Sequence, residues 1–282
     1  MKFLDIKTDF AFKKVFGSID SKDRLVSFLN SVIKFKDGIL IEDLTIVDPY
    51  NIPLLKGMKD TYVDVKAVLS NQSTVIIEMQ ILNVASFEKR ILYNAAKNYS
   101  LQLSDGEPYN LLNPIIALTI VDFVMFKEFD KYISNFKLIE KTEFIEYSGD
   151  IELIFIELPK FNKSLEELQN IQDQWVYFIK NAGSLNYLPT NIEPIVNSAF
   201  NISNQATLTQ EELELQHRKK DFIYMQKSSL ELAEKKGIEQ GIEKGTINTK
   251  KEIAKSLLNL GVDINTIIQA SGLSFNDINQ LK

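Results

Sequence analysis

The sequence has no cysteine and a single histidine, and these two scarcities exclude a large part of protein chemistry. Among 282 residues there is no Cys, and the one His is His217. The chain therefore holds no disulfide, thiolate metal site or cysteine nucleophile, and no multi-histidine metal site. His217 lies in the charged tract ELELQHRKK, which argues against a Ser-His-Asp triad. Carboxylates, amides, hydroxyls, Lys and Arg remain, and oxygen ligands favour a magnesium-like ion.

Long apolar runs and a strong excess of positive charge are also missing. No stretch approaches the roughly 18 apolar residues of a transmembrane helix, and MKFLDIKTDF lacks the apolar core of a secretory signal. We therefore expect a soluble, cytoplasmic protein. The chain has 32 Lys+Arg against 38 Asp+Glu, so it is not a nucleic-acid binder of the strongly basic kind. The first hundred residues nevertheless carry a small net positive charge and leave room for a local basic surface.

Two neighbouring segments have the alternation of β-strands with one apolar and one polar face. These are residues 61–69 (TYVDVKAVL) and 74–82 (TVIIEMQIL), in which the apolar residues recur with a period of two. If the strands pair with their apolar faces together, directly opposite residues must have an even index sum, such as Asp64 with Glu78. This register predicts a three- or five-residue loop or a bulge between them.

The polar faces of these strands carry the residues best suited to catalysis. Asp64 and Lys66 on one strand share a face with Glu78 and Gln80 on the next. Two carboxylates at a sheet edge suit Mg²⁺, which is held by one or two carboxylates and several waters and activates water for attack on a phosphodiester. Gln80 would orient that water, and Lys66 would stabilise developing charge or assist the nucleophile. The alternative is an ordinary solvated strand face, because exposed faces are usually polar.

The remaining pattern predicts an α/β protein with a mixed sheet. Helical periodicity or capping signals occur over residues 8–17, 21–34, 86–103 and 164–181, and strand-like segments over 38–47, 113–123 and 151–159. The segment 113–123 is almost uniformly apolar, which is typical of a strand buried on both faces. Trp175 is expected in the core.

The last third of the chain changes in character. We divide the sequence into a folded domain (1–205), a charged helical tract (206–260) and a small helical module (261–282). The tract contains KKGIEQGIEKG, with glycine at every fourth position. Such a face would let two helices approach closely and predicts a homo-oligomer formed through the C-terminal helices. The alternative is a partly frayed helix, because each glycine costs about 1 kcal/mol of helix propensity.

Motifs along nearly the whole chain resemble one nuclease family. They are TDFAFKKVFG, the DVK strand, IIEMQ, FEKRILYNAAKNYSLQL, IELPKF, the Trp175 helix and the glycine-spaced tail. The chain resembles the Rpn family of recombination-promoting nucleases, often labelled as transposases, within the PD-(D/E)XK nuclease superfamily. The resemblance implies a restriction-endonuclease-like αβββαβ core with a mixed sheet over residues 1–205.

The same resemblance implies a magnesium-dependent DNA endonuclease, with Mn²⁺ as a substitute, that acts in recombination or transposition. Asp64 and Glu78 would be metal ligands. Gln80 stands where the superfamily usually has lysine, a replacement that this family shares. The departure leaves open which group assists the water, and Lys66 is a candidate by geometry alone.

Three further residues are implied by the fold family. The first helix often adds an acidic metal ligand, here Asp9, although an acidic residue there also compensates the helix dipole. The helix after the motif flanks the cleft, so Lys89 and Arg90 are candidates for phosphate contact, the alternative being a solvated face.

Two other functions remain open at this point. One is a catalytically inactive nuclease fold that binds DNA or protein, favoured by Gln80 and the acidic net charge. Against it, Asp64 and Glu78 are both intact. The other is a regulated nuclease whose acidic C-terminal half masks the cleft.

Overall fold

The structure is a computed structural model that describes residues 1–35, 38–51 and 61–281. Its helices are α1 (Asp9–Phe16), α2 (Lys22–Val32), α3 (Phe87–Ser100), α4 (Ile171–Asn181), α5 (Pro194–Ile202), α6 (Gln210–Asn259), α7 (Ile264–Ser271) and α8 (Phe275–Asn279). Its strands are β1 (Leu44–Val47), β2 (Tyr50–Asn51), β3 (Thr61–Tyr62), β4 (Val65–Leu69), β5 (Thr74–Gln80), β6 (Ile115–Val121), β7 (Ile133–Lys137) and β8 (Ile151–Glu157).

Six of the strands form one mixed sheet in the order β1-β4-β5-β6-β8-β7. The central strands β5, β6 and β8 run parallel, whereas β1, β4 and β7 are antiparallel to their neighbours. The short strands β2 and β3 form a separate antiparallel pair. This arrangement confirms the predicted α/β class and mixed sheet.

Helices cover both faces of the sheet. Helices α1, α2, α4 and α5 pack on one face, in the cluster that contains the fully buried Trp175. Helix α3 packs on the other face through Phe87, Ile91 and Ala95. All seven residues of β6 are buried, so the prediction of a strand covered on both sides is confirmed.

The hairpin of β4 and β5 has the register that the apolar pattern predicts. Val65 lies opposite Ile77 and Ala67 opposite Val75, which gives even index sums. The main-chain N–H of Leu69 donates to the oxygen of Ser73 at 2.9 Å, which leaves a three-residue loop. The last loop residue, Gln72, has φ of 67°, as the common three-residue hairpin requires.

The expected continuous strand over 61–69 is wrong in one respect that matters for the site. The strand is broken, since β3 pairs with β2 and β4 begins only at Val65. Val63 packs in the α3 cluster, whereas Val65 packs in the opposite cluster. The chain thus changes face at Asp64, and a periodicity of two cannot reveal such a switch.

Other element boundaries also differ from the sequence pattern. Only Leu44–Val47 of the predicted strand 38–47 is extended in the sheet. Helix α4 begins at Ile171 rather than near 164, because the Asn170 side chain accepts a hydrogen bond from the N–H of Asp173 and caps it there. Strand β7 and helix α5 were not predicted.

The described chain divides into two compact units, Met1–Asp221 and Phe222–Lys282. The first includes the opening turns of α6, so it extends beyond the sequence boundary at 205. The second has a small core of Ala254, Ile267 and Ile278, and Asp263 and Ser274 cap α7 and α8 as expected. The three-segment division and the homo-oligomer stay predictions. Within the described residues, no helix is both long and apolar enough to cross a membrane.

Candidate active site

Asp64 occupies the break between β3 and β4, and its main chain and side chain are both tied to β5. Its N–H donates to the oxygen of Ile77 at 3.0 Å, and its Oδ2 accepts from the N–H of Met79 at 2.7 Å. Only 17% of its side chain is exposed. The carboxyl group is therefore held in one place beside the strand that carries Glu78 and Gln80.

Helix α1 brings a second carboxyl group and a cation to Asp64. Lys13 Nζ lies 2.8 Å from Oδ1 of Asp9 and 3.8 Å from Oδ1 of Asp64, and the two carboxyl groups hydrogen-bond to each other. Lys13 and Asp9 are one helical turn apart, so both reach the same neighbour. The structure thus places Asp9 beside Asp64, and its role as a metal ligand stays a prediction.

The two carboxyl groups compete for one proton. Burial, assisted by the negative charge of Asp9, raises the pKa of Asp64 to about 7. Burial alone would also raise the pKa of Asp9, but hydrogen bonds with Lys13 and Asp64 hold it below its usual value. The proton of the pair therefore resides on Asp64 below about pH 7 and is released above it, whereas Asp9 is the member that stays ionised.

Glu78 and Gln80 lie in a second group, on the side of β5 that faces α3. One Nη of Arg90 contacts Oε1 of Glu78 and donates to Oε1 of Gln80 at 2.7 Å. The guanidinium also lies over the ring of Phe87, 4.9 Å from its centroid. The amide nitrogen of Gln80 donates to the oxygen of Leu82 at 2.8 Å, so both ends of the Gln80 side chain are engaged.

Asn94 is a member of this group that the sequence reasoning missed. It is buried, lies one turn after Arg90 and hydrogen-bonds to the Glu78 carboxylate. Burial raises the pKa of Glu78, against the opposing effects of Arg90 and Asn94. The signal that could have found Asn94 is its spacing of four residues from Arg90, which puts both polar groups on the helix stripe of Phe87, Ile91 and Ala95.

Lys66 lies on one face of the sheet, and Lys89 lies on the exposed surface of α3. Lys66 lies opposite Ile76, on the side of the sheet that also carries Glu78, and its burial lowers its pKa against the opposing effect of Asp48. Lys89 is exposed on α3. The structure therefore brings together Asp9 with Asp64, and Glu78 with Gln80 and Arg90.

A sequence comparison identifies the chain's relatives. The model of the family described as PD-(D/E)XK nuclease family transposase matches residues 6–233. The chain belongs to this family. No curated protein and no solved structure matches the chain.

For a PD-(D/E)XK family member, the order of elements is the expected one. Helices α1 and α2, strands β1, β4 and β5, helix α3 and strand β6 follow one another as αβββαβ, with the small β2–β3 pair inserted before β4. The family match also includes the opening half of α6, which the three-segment division had separated from the nuclease fold.

The carboxyl groups of the candidate site suit a hard cation at one place, beside Asp9 and Asp64. Asp9 and Asp64 supply two adjacent carboxyl groups, the kind of ligand that Mg²⁺ prefers. Within residues 1–35, 38–51 and 61–281, no group of three or more His, Asp and Glu side chains is arranged to hold a metal ion. Glu78 is ion-paired with Arg90, so the carboxyl groups of the site form a pair and a separate third member.

Proposed function

We propose that this chain is a divalent-metal-dependent DNA endonuclease that hydrolyses phosphodiester bonds in recombination or transposition. The observation that carries the proposal is the pair formed by the exposed Asp9 and the largely covered Asp64, which Lys13 joins beside the strand of Glu78 and Gln80. The nuclease family of the chain supports the class of reaction. DNA as the substrate and a metal as the cofactor belong to the proposal.

Asp64 and Asp9 fit a divalent cation because an ion bound to both carboxylates would displace the proton that burial favours on Asp64. Mg²⁺ would be the natural ion, with Mn²⁺ as a substitute, and it would supply Lewis acidity and an activated water. The N–H of Met79 fixes one oxygen of Asp64, so the orientation of this ligand does not depend on the cation. Lys13 balances the charge of the pair from α1.

Glu78 is the third proposed ligand, and Arg90 controls its availability. The contact between Arg90 and Glu78 Oε1 must be exchanged before Glu78 can bind a cation through that oxygen. An exchange would leave the guanidinium next to the site, where it can contact a phosphate bidentately. We therefore keep Arg90, with the exposed Lys89, as a DNA-contacting residue.

Gln80 and Lys66 are proposed to assist the nucleophile. Gln80 can orient water only through an atom that Arg90 or Leu82 releases. Burial lowers the pKa of Lys66, so its neutral amine, which can accept a proton from the attacking water, forms more readily than that of an exposed lysine. Loss of the water-orienting amide of Gln80 should lower kcat without weakening DNA binding.

The test is cleavage of supercoiled plasmid by the purified protein with Mg²⁺, Mn²⁺, Ca²⁺ or EDTA. Asp64→Asn and Glu78→Gln keep the size of each side chain and remove its charge. The proposal expects metal-dependent nicking that both substitutions abolish. Cleavage that persists in both variants would show that these carboxylates are not the site.

The second candidate is a nuclease fold that binds DNA or protein without cutting. The observation in its favour is the closed network in which Arg90 bridges Glu78 and Gln80. Gln80 is the residue that stands where the superfamily usually has lysine. This candidate expects DNA or protein binding, but no cleavage with any of the three metals.

A further inference from the structure

The opening turns of α6 are docked against α1 next to the carboxyl pair. Glu212 accepts from Lys14 Nζ at 2.5 Å, and one turn later Gln216 accepts from the Thr8 hydroxyl at 3.0 Å. Gln216 is 2% exposed, so this part of α6 is packed against the first compact unit. Thr8 immediately precedes Asp9 in the chain, so the docked turns adjoin the carboxyl pair.

The next turn of the same helix brings positive charge to the site. Lys219 lies three residues after Gln216, and its charge helps to hold the pKa of Asp9 below the usual value. Arg218 and Lys219 are exposed, and Lys220 is partly exposed. Since Glu212 to Lys219 spans about 10 Å of helix, the docked turns fix where these three cations stand.

We propose that Arg218, Lys219 and Lys220 form a phosphate-binding surface that seats the DNA backbone against the Asp9–Asp64 pair. The inference rests on the proposed endonuclease function and adds a substrate-binding surface to it. The three residues are called the α6 basic turn below. Its ligand is the nucleic-acid backbone rather than a base edge, because consecutive cations on an exposed helix turn offer charge without a fixed donor pattern.

Acidic residues precede and follow the α6 basic turn, and a further cation lies on α1. Glu212, the nearest acid on the docked stripe, is already paired with Lys14. Glu211 and Glu214 lie in the first turns of the helix, and Asp221 follows the basic residues. On α1, Lys13 adds a fourth cation beside the carboxyl pair and is 44% exposed. A DNA strand that contacts Lys219 and Lys13 would lie next to Asp9, because both lysines are close to that carboxylate.

The experiment measures binding of a fluorescently labelled DNA duplex to the full chain in Ca²⁺, over a series of salt concentrations. The test protein is the triple variant Arg218→Gln, Lys219→Gln, Lys220→Gln. The matched control is Lys235→Gln, Lys236→Gln, Lys244→Gln, which removes the same charge from exposed positions farther along α6. Circular dichroism and thermal melting verify that both variants are folded like the parent.

The proposal expects the test variant to bind about tenfold or more weakly at moderate salt. The slope of log Kd against log salt should fall by about 0.9 for each DNA phosphate that the variant no longer neutralises. The control should bind like the parent.

The proposal would be overturned if the test variant and the parent had equal affinities and slopes. It would also be overturned if the test and control variants bound DNA equally weakly, or if the parent did not bind DNA. Binding that depends on the α6 basic turn in a protein that never cuts plasmid would support this surface while refuting the endonuclease.

Discussion

The carboxylate of Asp64 accepts a hydrogen bond from the main-chain N–H of Met79, the residue between Glu78 and Gln80 on β5. This bond joins the strand break at Asp64 to the strand that carries the other motif residues. One side of the site then holds the carboxyl pair of Asp9 and Asp64, and the other holds the network of Glu78, Gln80 and Arg90. Each half contains a cation, since Lys13 lies between the carboxyl groups of the pair and Arg90 contacts Glu78.

Substitution of Asp64 by Asn should stabilise the metal-free protein at alkaline pH. The pKa of Asp64 is about 7 in the folded chain, above the unfolded value, so the folded state holds a proton that the unfolded state releases. Its unfolding free energy therefore falls as the pH rises from about 4 to 7, and the full penalty applies above pH 7. Asp64→Asn lacks this carboxyl group and should be more stable than the parent by about 1–2 kcal/mol at pH 8 in EDTA.

Urea unfolding at pH 5 and pH 8 measures this difference. Excess Mg²⁺ should reverse the order at pH 8, because only the parent gains stability from a bound cation. A difference between parent and variant that is the same at both pH values would show that Asp64 titrates normally. If Mg²⁺ leaves the unfolding free energy of the parent unchanged, the Asp9–Asp64 pair does not bind the ion.

Substitution of Arg90 by Ala should destabilise the fold, whereas Lys89→Ala should not. Removal of Arg90 leaves the Glu78 carboxylate, 15% exposed, and the oxygen of Gln80 without their shared donor. The expected decrease in unfolding free energy is about 1–3 kcal/mol, while substitution of the neighbouring exposed Lys89 should change stability by less than about 0.5 kcal/mol.

The destabilisation of Arg90→Ala should also depend on pH. Burial already raises the pKa of Glu78, and Arg90 opposes that rise, so its removal raises the pKa further. The folded variant can then take up a proton at low pH, and the destabilisation should be smaller at pH 5 than at pH 8. Thermal melts of the two Ala variants at both values test this, and equal stability of the two would contradict the Arg90–Glu78–Gln80 network.

The hairpin shows how far alternation of residue type can predict structure. The even-sum register follows from keeping the apolar faces of β4 and β5 together, because a slip by one residue would turn every side chain over. The three-residue loop is one of the connections that this register allowed, beside a five-residue loop or a bulge. The same pattern failed at Val63, which packs on the other face. The break at Asp64 is decided by pairing of β3 with β2 and by tertiary hydrogen bonds, which have no local signature.

The residues of the candidate site were predictable, but their pairing was not. Asp64, Glu78 and Gln80 were singled out from the strand pattern, and Asp9 and Arg90 from the resemblance, whereas Asn94 was missed, and nothing in the sequence indicates that Arg90 binds Glu78 rather than DNA. Side-chain partners depend on the distance between α3 and β5, which is set by packing of Phe87 and Ile91. The docking of α6 on α1 was missed for a similar reason, since Thr8 and Gln216 are far apart in sequence.

Two truncations should separate the role of the docked turns from that of the C-terminal unit. Removal of residues 206–282 also removes the hydrogen bonds of Gln216 and Glu212 with Thr8 and Lys14, and we expect a lower melting temperature. Removal of 234–282 keeps the part matched by the family model and the whole first unit, and its melting temperature should stay close to that of the full chain.

The shorter truncation also tests whether residues 234–282 mask the cleft, although the excess of acidic residues in the C-terminal half lies before them. Masking requires that removal of 234–282 increases DNA affinity or the rate of cleavage. Unchanged values for both would eliminate masking by residues 234–282, and equal melting temperatures for the two truncations would contradict the docking of α6.

The most direct test of a metal-dependent site at Asp64 and Glu78 is nicking of supercoiled plasmid by the parent, Asp64→Asn and Glu78→Gln proteins, each with Mg²⁺ or EDTA. Such a site predicts nicking by the parent in Mg²⁺ alone, and a rate at least about a hundredfold lower in both folded variants. Nicking by the parent in EDTA, or equal nicking by the parent and both variants, would contradict it.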